Sequence, residues 1–404
     1  MIRPAIVVVS DHASVTGGAE MVAITSAVGL AEAGFDVTFV AGSEPRDDRL
    51  SKLRRVEVLG ATGFHQSANK VEAFRNALWN NEAEVLMTKV LDGLDPDNTV
   101  VHLHSYLNVL SPSVLSAALR EFECTITLHD YGIVCPTSGL YNHRRKCSCP
   151  LTPLSLSCVL TQCSKSSYLS KAALVMRSRI LKRRVKATRR IDHYIAVSRR
   201  NGEIVRPFLG PNAVIHHVRN PYQKSQAPRV LAERNGPVLF VGRLTSEKDP
   251  VRLALAAKRT DTEVVFVGSG PLEDEVRAAN PAATITGWLT QDQVAEWFQK
   301  GRANVMTSRW HEGSPLSLTD AAAQGLPSIV PSTMAGAENV QNDRTGYTYA
   351  LASNDELDRA LQSLKQDQRV RELSEAAYRD FWSDPPSMEA HIRGLEAVYH
   401  SILG

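Results

Sequence analysis

Residues 238–250 carry the sequence VLFVGRLTSEKDP, in which an apolar run passes into a polar loop and then reaches a proline. Four apolar residues followed by glycine predict a buried strand that ends in a tight turn. Proline favours the first turn of a helix, so Pro250 predicts a helix start. Arg243 and Lys248 then follow the carboxyl end of the strand, where two cations can clamp a diphosphate. The alternative is a solvated turn with ordinary surface charges.

The same strand–helix rhythm continues outward from this unit in both directions. Predicted strands include Glu263–Val267 and Ala303–Met306 in the second half, and Ala5–Ser10 and Val85–Met87 in the first half. This alternation predicts an α/β fold of two doubly wound parallel sheets. A polar stretch with two prolines, Asn220–Asn235, predicts the linker between them. Such sheets bind ligands outside the carboxyl ends of their strands.

The composition is that of a globular protein: of 404 residues, 43% are hydrophobic and 22% are charged. The apolar runs are strand-sized, well short of the ~20 residues that span a bilayer. The first of them is too short for a secretory signal. We therefore expect a cytoplasmic protein.

The net charge of +3 conceals a basic segment. Between Tyr131 and Ile191 there is no Asp or Glu, whereas 13 residues are Lys or Arg. This asymmetry indicates an anionic partner. Aromatic residues do not alternate with the cations, which disfavours a stacking platform for bases. We therefore expect no nucleic-acid partner.

An anionic membrane surface is the partner that this segment favours. Ser170–Arg190 is predicted to form one helix with Ser170 as its N-cap and cations on most of its circumference. Three apolar residues share the remaining face: Leu174, Leu181 and Val185. We expect peripheral binding at the inner face of a membrane through residues 165–190. The alternative is a solvated helix that packs over a narrow apolar stripe.

Three further features follow predicted strands. Gly17-Gly18-Ala19-Glu20 lets a phosphate approach the backbone at a helix start, or simply makes a tight turn. Glu312 and Asp320 can accept hydrogen bonds from sugar hydroxyls, or Glu312 merely offsets a helix dipole. A lone histidine is more often structural, but His129 directly follows the predicted strand Cys124–Leu128, a position that favours function.

Together these motifs resemble glycosyltransferase family 4, whose members are retaining enzymes of the GT-B fold. The resemblance covers essentially the whole chain, and its motifs occur in the expected order. They are Gly17-Gly18-Ala19-Glu20, Arg219-Asn220-Pro221, Val241-Gly242-Arg243-Leu244 through Lys248, and Glu312-Gly313-Ser314-Pro315-Leu316 through Asp320-Ala321.

The resemblance implies two Rossmann-like domains that face each other across a cleft. Residues 1–220 would form the acceptor-side domain, and residues 221–384 the nucleotide-sugar-binding domain. Residues 385–404 would cross back onto the first domain.

The resemblance also implies a role for each matching position. The catalytic residues would be His129, Arg243, Lys248 and Glu312. The donor-binding residues would be Gly18, Gly242, Arg243, Lys248, Gly313, Ser314, Pro315, Leu316 and Asp320. The two cations would stabilise the leaving diphosphate, and His129 would lie near the donor sugar. No metal or other cofactor would be required for catalysis.

Two features qualify the resemblance. The family usually carries Glu where this chain has Asp320, so a ribose contact there would be longer or bridged by water. A subset of the family also shows His-Asp-Tyr, then Cys-Pro, then a cysteine cluster, as this chain does from His129 onward. Four cysteines could hold zinc or an iron–sulfur cluster, or simply pack: Cys147, Cys149, Cys158 and Cys163. The first pair, Cys147 and Cys149, has C-x-C rather than the usual C-x-x-C spacing. Metal binding and simple packing therefore both remain open.

The function predicted from these observations is retaining transfer of a sugar from a nucleotide diphosphate sugar to a glycan or lipid-linked acceptor, in polysaccharide or glycolipid biosynthesis. One alternative is a GT-B-like nucleotide-sugar epimerase. Another is a scaffold that binds a nucleotide sugar without turning it over, which the Asp320 departure motivates.

Overall fold

The computed structural model describes residues 3–61 and 70–404. The chain divides into two compact units. The first comprises Met1–Leu140, Pro150–Pro221 and Pro386–Gly404, and the second comprises Tyr141–Cys149 and Tyr222–Pro385. These boundaries lie one residue beyond the predicted ones near 220 and 385. They also assign Tyr141–Cys149 to the second unit, which the sequence-based division had placed in the first.

The strands are short, and most follow the predicted runs. They are β1 Ala5–His12, β2 Val37–Ser43, β3 Arg55–Val58, β4 Thr99–Leu103, β5 Glu123–Leu128, β6 Tyr141–Asn142, β7 Cys147–Ser148, β8 His193–Ala196, β9 Val214–His217, β10 Val238–Val241, β11 Val264–Val267, β12 Thr284–Ile285, β13 Ala303–Val305, β14 Ser328–Pro331 and β15 Gly346–Tyr349.

Helices connect most of these strands. They are α1 Gly18–Glu32, α2 Lys70–Leu78, α3 Asn81–Leu91, α4 Pro112–Ala118, α5 Leu156–Leu160, α6 Tyr168–Ile180, α7 Ala187–Arg190, α8 Arg199–Val205, α9 Pro250–Arg259, α10 Glu273–Ala279, α11 Gln291–Lys300, α12 Leu316–Gln324, α13 Asn354–Ser363, α14 Asp367–Ser383 and α15 Met388–Leu403. None of the helices described is both long and apolar enough to cross a bilayer.

The first unit is built on a seven-stranded parallel sheet with the order β3-β2-β1-β4-β5-β8-β9. β1 and β4 are neighbours in the middle of the sheet, and their central residues are almost wholly apolar and buried. Such runs are typical of a parallel strand with both faces covered. The closing helix α15 packs within this unit, where Tyr399 meets the Phe35 ring edge-on at 6.5 Å.

The second unit is built on a six-stranded parallel sheet with the order β12-β11-β10-β13-β14-β15. The hairpin β6–β7 is antiparallel and belongs to this unit, although its sequence interrupts the first. In each unit the strand order reverses at the centre of the sheet, and ligands bind at such switch points in open α/β sheets.

Two sequence-based predictions of secondary structure are wrong. Val85–Met87 lies inside α3, whose N-cap Asn80 accepts a hydrogen bond from the Ala83 amide. The three consecutive apolar residues Val85, Leu86 and Met87 had resembled a short strand.

The predicted helix Ser170–Arg190 is three pieces: α6, a π-helical turn at Leu181–Val185, and α7. Lys186 adopts a left-handed conformation, with φ of 57°, that ends the turn. The N-cap is Ser167 rather than Ser170.

Candidate functional site

The switch point of the second unit lies between β10 and β13, which are adjacent in its sheet. Gly242 directly follows β10, and the loop that contains Glu312 follows β13. Gly242 has φ of 148°, and Gly268, after β11, has φ of 147°. A Cβ atom on Gly268 would lie 2.2 Å from the carbonyl oxygen of Gly242. Only glycine fits there, so these two loops are closely packed beside the site.

Lys248 and Glu312 join the two central loops by an ion pair. Lys248 Nζ lies 2.6 Å from Glu312 Oε1, and the two side chains are only 15% and 12% exposed. The other oxygen, Oε2, accepts a hydrogen bond of 2.7 Å from Ser308 Oγ. A Cβ atom on Gly242 would be 3.4 Å from Lys248 Nζ, so the Gly242 backbone borders the ammonium. The structure therefore brings together Gly242, Lys248 and Glu312, three of the predicted site residues.

Arg243 differs from Lys248 in its surroundings. Its side chain is exposed, and across the described residues its guanidinium takes part in no hydrogen bond or ion pair. The Lys248 ammonium is paired with Glu312, whereas the Arg243 guanidinium remains available to an anion. An unpaired guanidinium beside a glycine turn suits bidentate binding of phosphate.

The start of α12 adds backbone donors to the same loop. Pro315 is its N-cap and provides no side-chain cap. The amides of Leu316 and Ser317 donate hydrogen bonds to none of the described residues. Free N–H groups at a helix start carry the positive end of its dipole and favour an anion. The helix thus begins at Leu316, directly after Gly313-Ser314-Pro315, as the sequence predicted.

Asp320 lies one turn into α12 and contacts a different partner. Its Oδ1 atom is 3.0 Å from Lys224 Nζ, and the lysine is half exposed. Burial, with a smaller contribution from the nearby Asp320 carboxylate, raises the pKa of Tyr222. No hydrogen bond joins Asp320 to Lys248 or Glu312 in the described residues. Lys224 therefore belongs in any account of Asp320, and the sequence offered no signal for it.

The β6–β7 hairpin braces the loops that carry Lys248 and Glu312. Tyr141 Oη donates to the Ser246 carbonyl at 3.2 Å, and Ser148 Oγ donates to the Arg309 carbonyl at 3.0 Å. Arg309 in turn forms an ion pair with Asp249, the residue after Lys248. No local sequence signal points to this support, because Tyr141 lies 105 residues before Ser246 and Ser148 lies 161 residues before Arg309.

The switch point of the first unit lies between β1 and β4 and has a different character. Gly18 opens α1 after β1, His104 follows β4, and His129 follows β5. His104 Nδ1 lies 2.9 Å from His129 Nε2, and the two rings stack at 5.1 Å between centroids. His129 is thus placed where the sequence predicted. His104 was missed, although its position directly after a central strand was the available signal.

Both imidazoles are neutral at pH 7. Burial lowers the pKa of His129 to about 3, with the neighbouring His391 adding to the effect. Burial, together with His102 and His129, also lowers the pKa of His104 well below its ordinary value. Two neutral rings joined by one hydrogen bond must hold complementary tautomers, one donating and one accepting. The hydrogen bond therefore couples the tautomer of His129 to that of His104 and leaves Nδ1 as the His129 nitrogen outside this bond.

Neighbouring groups hold this pair in place. His102 is fully buried and pairs with Tyr399 Oη at 2.8 Å and Thr127 Oγ1 at 2.7 Å. Its ring lies 4.3 Å from that of His104. The loop after β4 is fixed by Asp11, whose carboxylate accepts hydrogen bonds of 2.8 to 3.0 Å from the backbone amides of residues 108–110. The His104–His129 pair is thus held by groups on neighbouring strands and loops.

The structure divides the predicted cysteine cluster between the two units. Cys147 and Cys149 belong to the second unit, and Cys158 and Cys163 to the first. Within the described ranges, no three His, Cys, Asp or Glu side chains are arranged to hold a metal ion. Cys158 and Cys163 instead contact the buried side chain of Lys171.

Two family models together match most of the chain. The model described as Glycosyltransferase Family 4 matches residues 16–225, and the model described as Glycosyl transferases group 1 matches residues 236–367. The first covers more than half of the 404 residues. The chain therefore belongs to glycosyltransferase family 4, as its motifs indicated.

Curated relatives are similar over shorter segments. A GDP-mannose-dependent alpha-mannosyltransferase of Mycolicibacterium smegmatis is 31% identical over 136 residues, 34% of this chain and 34% of the relative. A UDP-Gal:alpha-D-GlcNAc-diphosphoundecaprenol alpha-1,3-galactosyltransferase of Escherichia coli is 27% identical over 162 residues, 36% of this chain and 41% of the relative. The matched segments thus span well under half of these relatives.

The likeness to solved structures extends over the whole chain. A sucrose-phosphate synthase from Thermosynechococcus elongatus superimposes with a TM-score of 0.72, covering 99% of each chain at 16% identity. At this identity the likeness shows the fold, which is that of GT-B glycosyltransferases with two Rossmann-like units.

Proposed function

We propose that this protein is a retaining glycosyltransferase that moves a sugar from a nucleotide diphosphate sugar to a glycan or lipid-linked acceptor. One observation carries the proposal: an unpaired Arg243, the Lys248–Glu312 pair and the free amides of α12 all occupy the loops of one switch point. Cations and amides in this arrangement suit a diphosphate. The carboxylate of Glu312 suits hydroxyl groups of a sugar.

The proposed reaction breaks the bond between the sugar and the diphosphate. Negative charge then accumulates on the departing diphosphate, and fixed donors stabilise it more in the transition state than in the ground state. Arg243 supplies a charge that no described residue neutralises. Lys248 supplies a second charge that Glu312 holds in position. The acceptor hydroxyl attacks from the face that the diphosphate leaves, so the configuration of the sugar is retained.

We further propose that transfer requires no metal. The charge that a divalent ion would supply to the diphosphate is provided here by two side chains and the α12 amides. Turnover that is unchanged by a chelator is the expected result. Loss of turnover with a chelator, restored by a divalent metal, contradicts this part of the proposal.

The relatives suggest which donors to test. The mycobacterial relative is named for GDP-mannose, and the Escherichia coli relative for UDP-galactose and a lipid diphosphate acceptor. GDP-mannose and UDP-galactose are therefore the first donors, supplied with extracted glycan and polyprenyl-diphosphate sugar acceptors. We expect one donor to release its nucleoside diphosphate and label the acceptor.

The other outcomes separate the alternatives. Conversion of the donor to its sugar epimer, with no labelled acceptor, identifies an epimerase. Binding of the donor without nucleotide release under any acceptor identifies a scaffold. The configuration of the product, read by nuclear magnetic resonance, tests retention.

We also propose that the first unit docks on an anionic membrane. Its predicted apolar stripe does not face outward, because Leu181 and Val185 are buried in the core. A different apolar surface is exposed on α5 and α6, which includes Leu156 at 76% and Leu169 at 80%. The rest of this surface consists of Leu160, Tyr168 and Met176.

Exposed cations lie in the same segment and complement this apolar surface. They are Lys165, Arg179, Lys182, Arg183, Arg184, Lys186, Arg189 and Arg190. The basic segment is not wholly superficial, since Lys171 and Arg177 are buried. Each exposed cation near an anionic leaflet contributes about 1 kcal/mol, and the apolar side chains add buried area.

Co-sedimentation with vesicles tests the docking proposal. We expect binding to vesicles that contain phosphatidylglycerol, weaker binding at high salt, and little binding to neutral vesicles. Leu169→Ser and Arg183→Ala should both weaken it, whereas Arg277→Ala, an exposed arginine in the second unit, should not. Equal binding to both vesicle types, or none to either, contradicts the proposal.

A further inference from the structure

Lys171, the fourth residue of α6, is an unusually buried lysine. It is 1% exposed, although lysine is almost never fully buried without a partner. Moving an ammonium group out of water is costly unless a counter-charge compensates for it. The chemical identity of what surrounds its Nζ atom is therefore informative.

The partners of this nitrogen are sulfur atoms. Lys171 Nζ lies 2.8 Å from Cys163 Sγ and 3.9 Å from Cys158 Sγ. All three residues are buried. A separation of 2.8 Å is as short as an ordinary N–H···O hydrogen bond, although sulfur is the larger atom.

No carboxylate in the part of the chain that the structure describes forms an ion pair with this lysine. The chain has no Asp or Glu between Tyr131 and Ile191, and none elsewhere in the described residues forms an ion pair with Lys171. The nitrogen and the Cys163 sulfur must therefore share a proton as amine and thiol or as ammonium and thiolate. Burial lowers the pKa of the Lys171 ammonium, but the hydrogen bond to Cys163 and the nearby thiols of Cys158 and Cys135 together outweigh burial and raise it. The thiolate form is the one that oxidants attack.

We propose that Lys171 and Cys163 form a reversible covalent N–O–S cross-link, with molecular oxygen as the oxidant. The two atoms are already at contact distance, so one inserted oxygen joins them without movement of the helix. Cys158 is farther from the nitrogen and remains a thiol. The cross-link ties α6 to the loop that follows α5, which is the part of the chain that exposes Leu156, Leu160 and Leu169.

The chemistry balances with oxygen as the only other reactant. The neutral thiol and amine together lose four electrons to O₂. One oxygen atom bonds to Cys163 Sγ and Lys171 Nζ, replacing the thiol proton and one amine proton. The other oxygen atom leaves with these two protons as water. Dithiothreitol supplies the four electrons for the reverse reaction, which returns the thiol, the amine and a second water.

Peptide mapping of the full chain tests the proposal. Two samples are held in air-saturated buffer, and one of them is then treated with dithiothreitol. Both are unfolded, alkylated and digested with trypsin. We expect the air-exposed sample to contain peptide 147–165 joined to peptide 166–177, uncleaved after Lys171. Its mass should exceed the sum of the two by one oxygen less two hydrogens, and dithiothreitol should remove it.

Variants distinguish this pair from its neighbours. Cys163→Ser and Lys171→Arg should abolish the joined peptide, whereas Cys158→Ser should retain it. The wild-type comparison with and without reductant stands even if a buried variant folds poorly. Three results would overturn the proposal: full alkylation of Cys163 after air exposure, a Cys158–Cys163 disulfide as the product, or stoichiometric zinc or iron bound by these thiols in protein purified without a metal-affinity tag.

Discussion

The two switch points of this protein share a backbone plan and differ in their chemistry. In the second unit, the loops after β10 and β13 carry an exposed Arg243 and the Lys248–Glu312 ion pair. In the first unit, the residues after β4 and β5 are two stacked, neutral imidazoles, His104 and His129. The second-unit loops present full charges, whereas the imidazole pair of the first unit presents hydrogen-bonding groups without charge.

Under the proposed function, this difference predicts separate tasks for the two sites. Full charges and free helix amides favour a ligand with a high negative charge, such as a diphosphate. Neutral imidazoles favour directional hydrogen bonds to hydroxyl groups of a sugar or acceptor. Substitutions in the second unit should therefore affect the leaving group, and those in the first unit should affect alignment.

The largest expected effect is on turnover after loss of either cation. Arg243→Ala and Lys248→Ala should each lower kcat by roughly 10²–10³-fold, the usual effect of removing one preorganised charge stabiliser. Arg277→Ala and Lys258→Ala, exposed cations of the same unit, are matched controls. Arg243 is the cleaner test because its side chain forms no hydrogen bond or ion pair with a described residue. Wild-type turnover in both variants would remove these cations from the site.

A smaller effect is expected when the histidine pair is broken. His104→Gln should lower kcat roughly tenfold while the donor KM changes little, since misplacing a catalytic group costs turnover rather than binding. His193→Gln is the matched control. Its ring stacks on His216 with the same 2.9 Å contact, but at the opposite, amino end of a strand. Equal losses in the two variants would mean that His104 has only a structural role.

Mild acid should destabilise the first unit before the second. Folding depresses the pKa values of His102 to about 3 and His391 to about 4, chiefly through burial. The unfolded chain therefore binds more protons, and stability present above pH 6.5 is lost as the pH falls towards these values. Each such imidazole lowers the free energy of unfolding by about 1.4 kcal/mol per pH unit in that window.

Urea unfolding at pH 7.5 and 5.5 checks this expectation. His102→Gln should reduce the pH dependence, and limited proteolysis at pH 5.5 should cleave the first unit first. Preferential cleavage of the second unit would contradict the assignment of the acid-sensitive groups.

The smallest expected effect concerns Asp320. Asp320→Ala should weaken nucleotide binding roughly 2- to 10-fold, which is the net value of one hydrogen bond, and Asp320→Glu should keep or improve it. Lys224→Ala releases the carboxylate without removing it. If Lys224→Ala weakens binding as much as Asp320→Ala, the ion pair matters more than a ribose contact. Titration calorimetry distinguishes the two.

Most of the fold could be predicted from the sequence because buried parallel strands are continuous apolar runs. Arg243, Lys248 and Glu312 could be located because each lies just after such a run. Residues joined by distant chain segments could not be located. His104 is recognisable only once β4 is known to be central, and the β6–β7 hairpin contacts Ser246 from far earlier in the chain.

The basic segment shows the same limit for a helix. Its charge pattern was evident, but periodicity could not show that Lys171 is buried against cysteines or that Leu181 and Val185 face the core. Tertiary packing determined which face is exposed.

Titration calorimetry of nucleoside diphosphates measures the proposed division of tasks most directly. GDP and UDP are titrated into the wild-type protein and into the Lys248→Ala and His129→Ala variants. We predict that the preferred nucleotide binds the wild type and His129→Ala with similar Kd values and Lys248→Ala at least tenfold more weakly. An unchanged Kd in Lys248→Ala, or equal losses in both variants, would contradict the assignment of the diphosphate to the charged switch point.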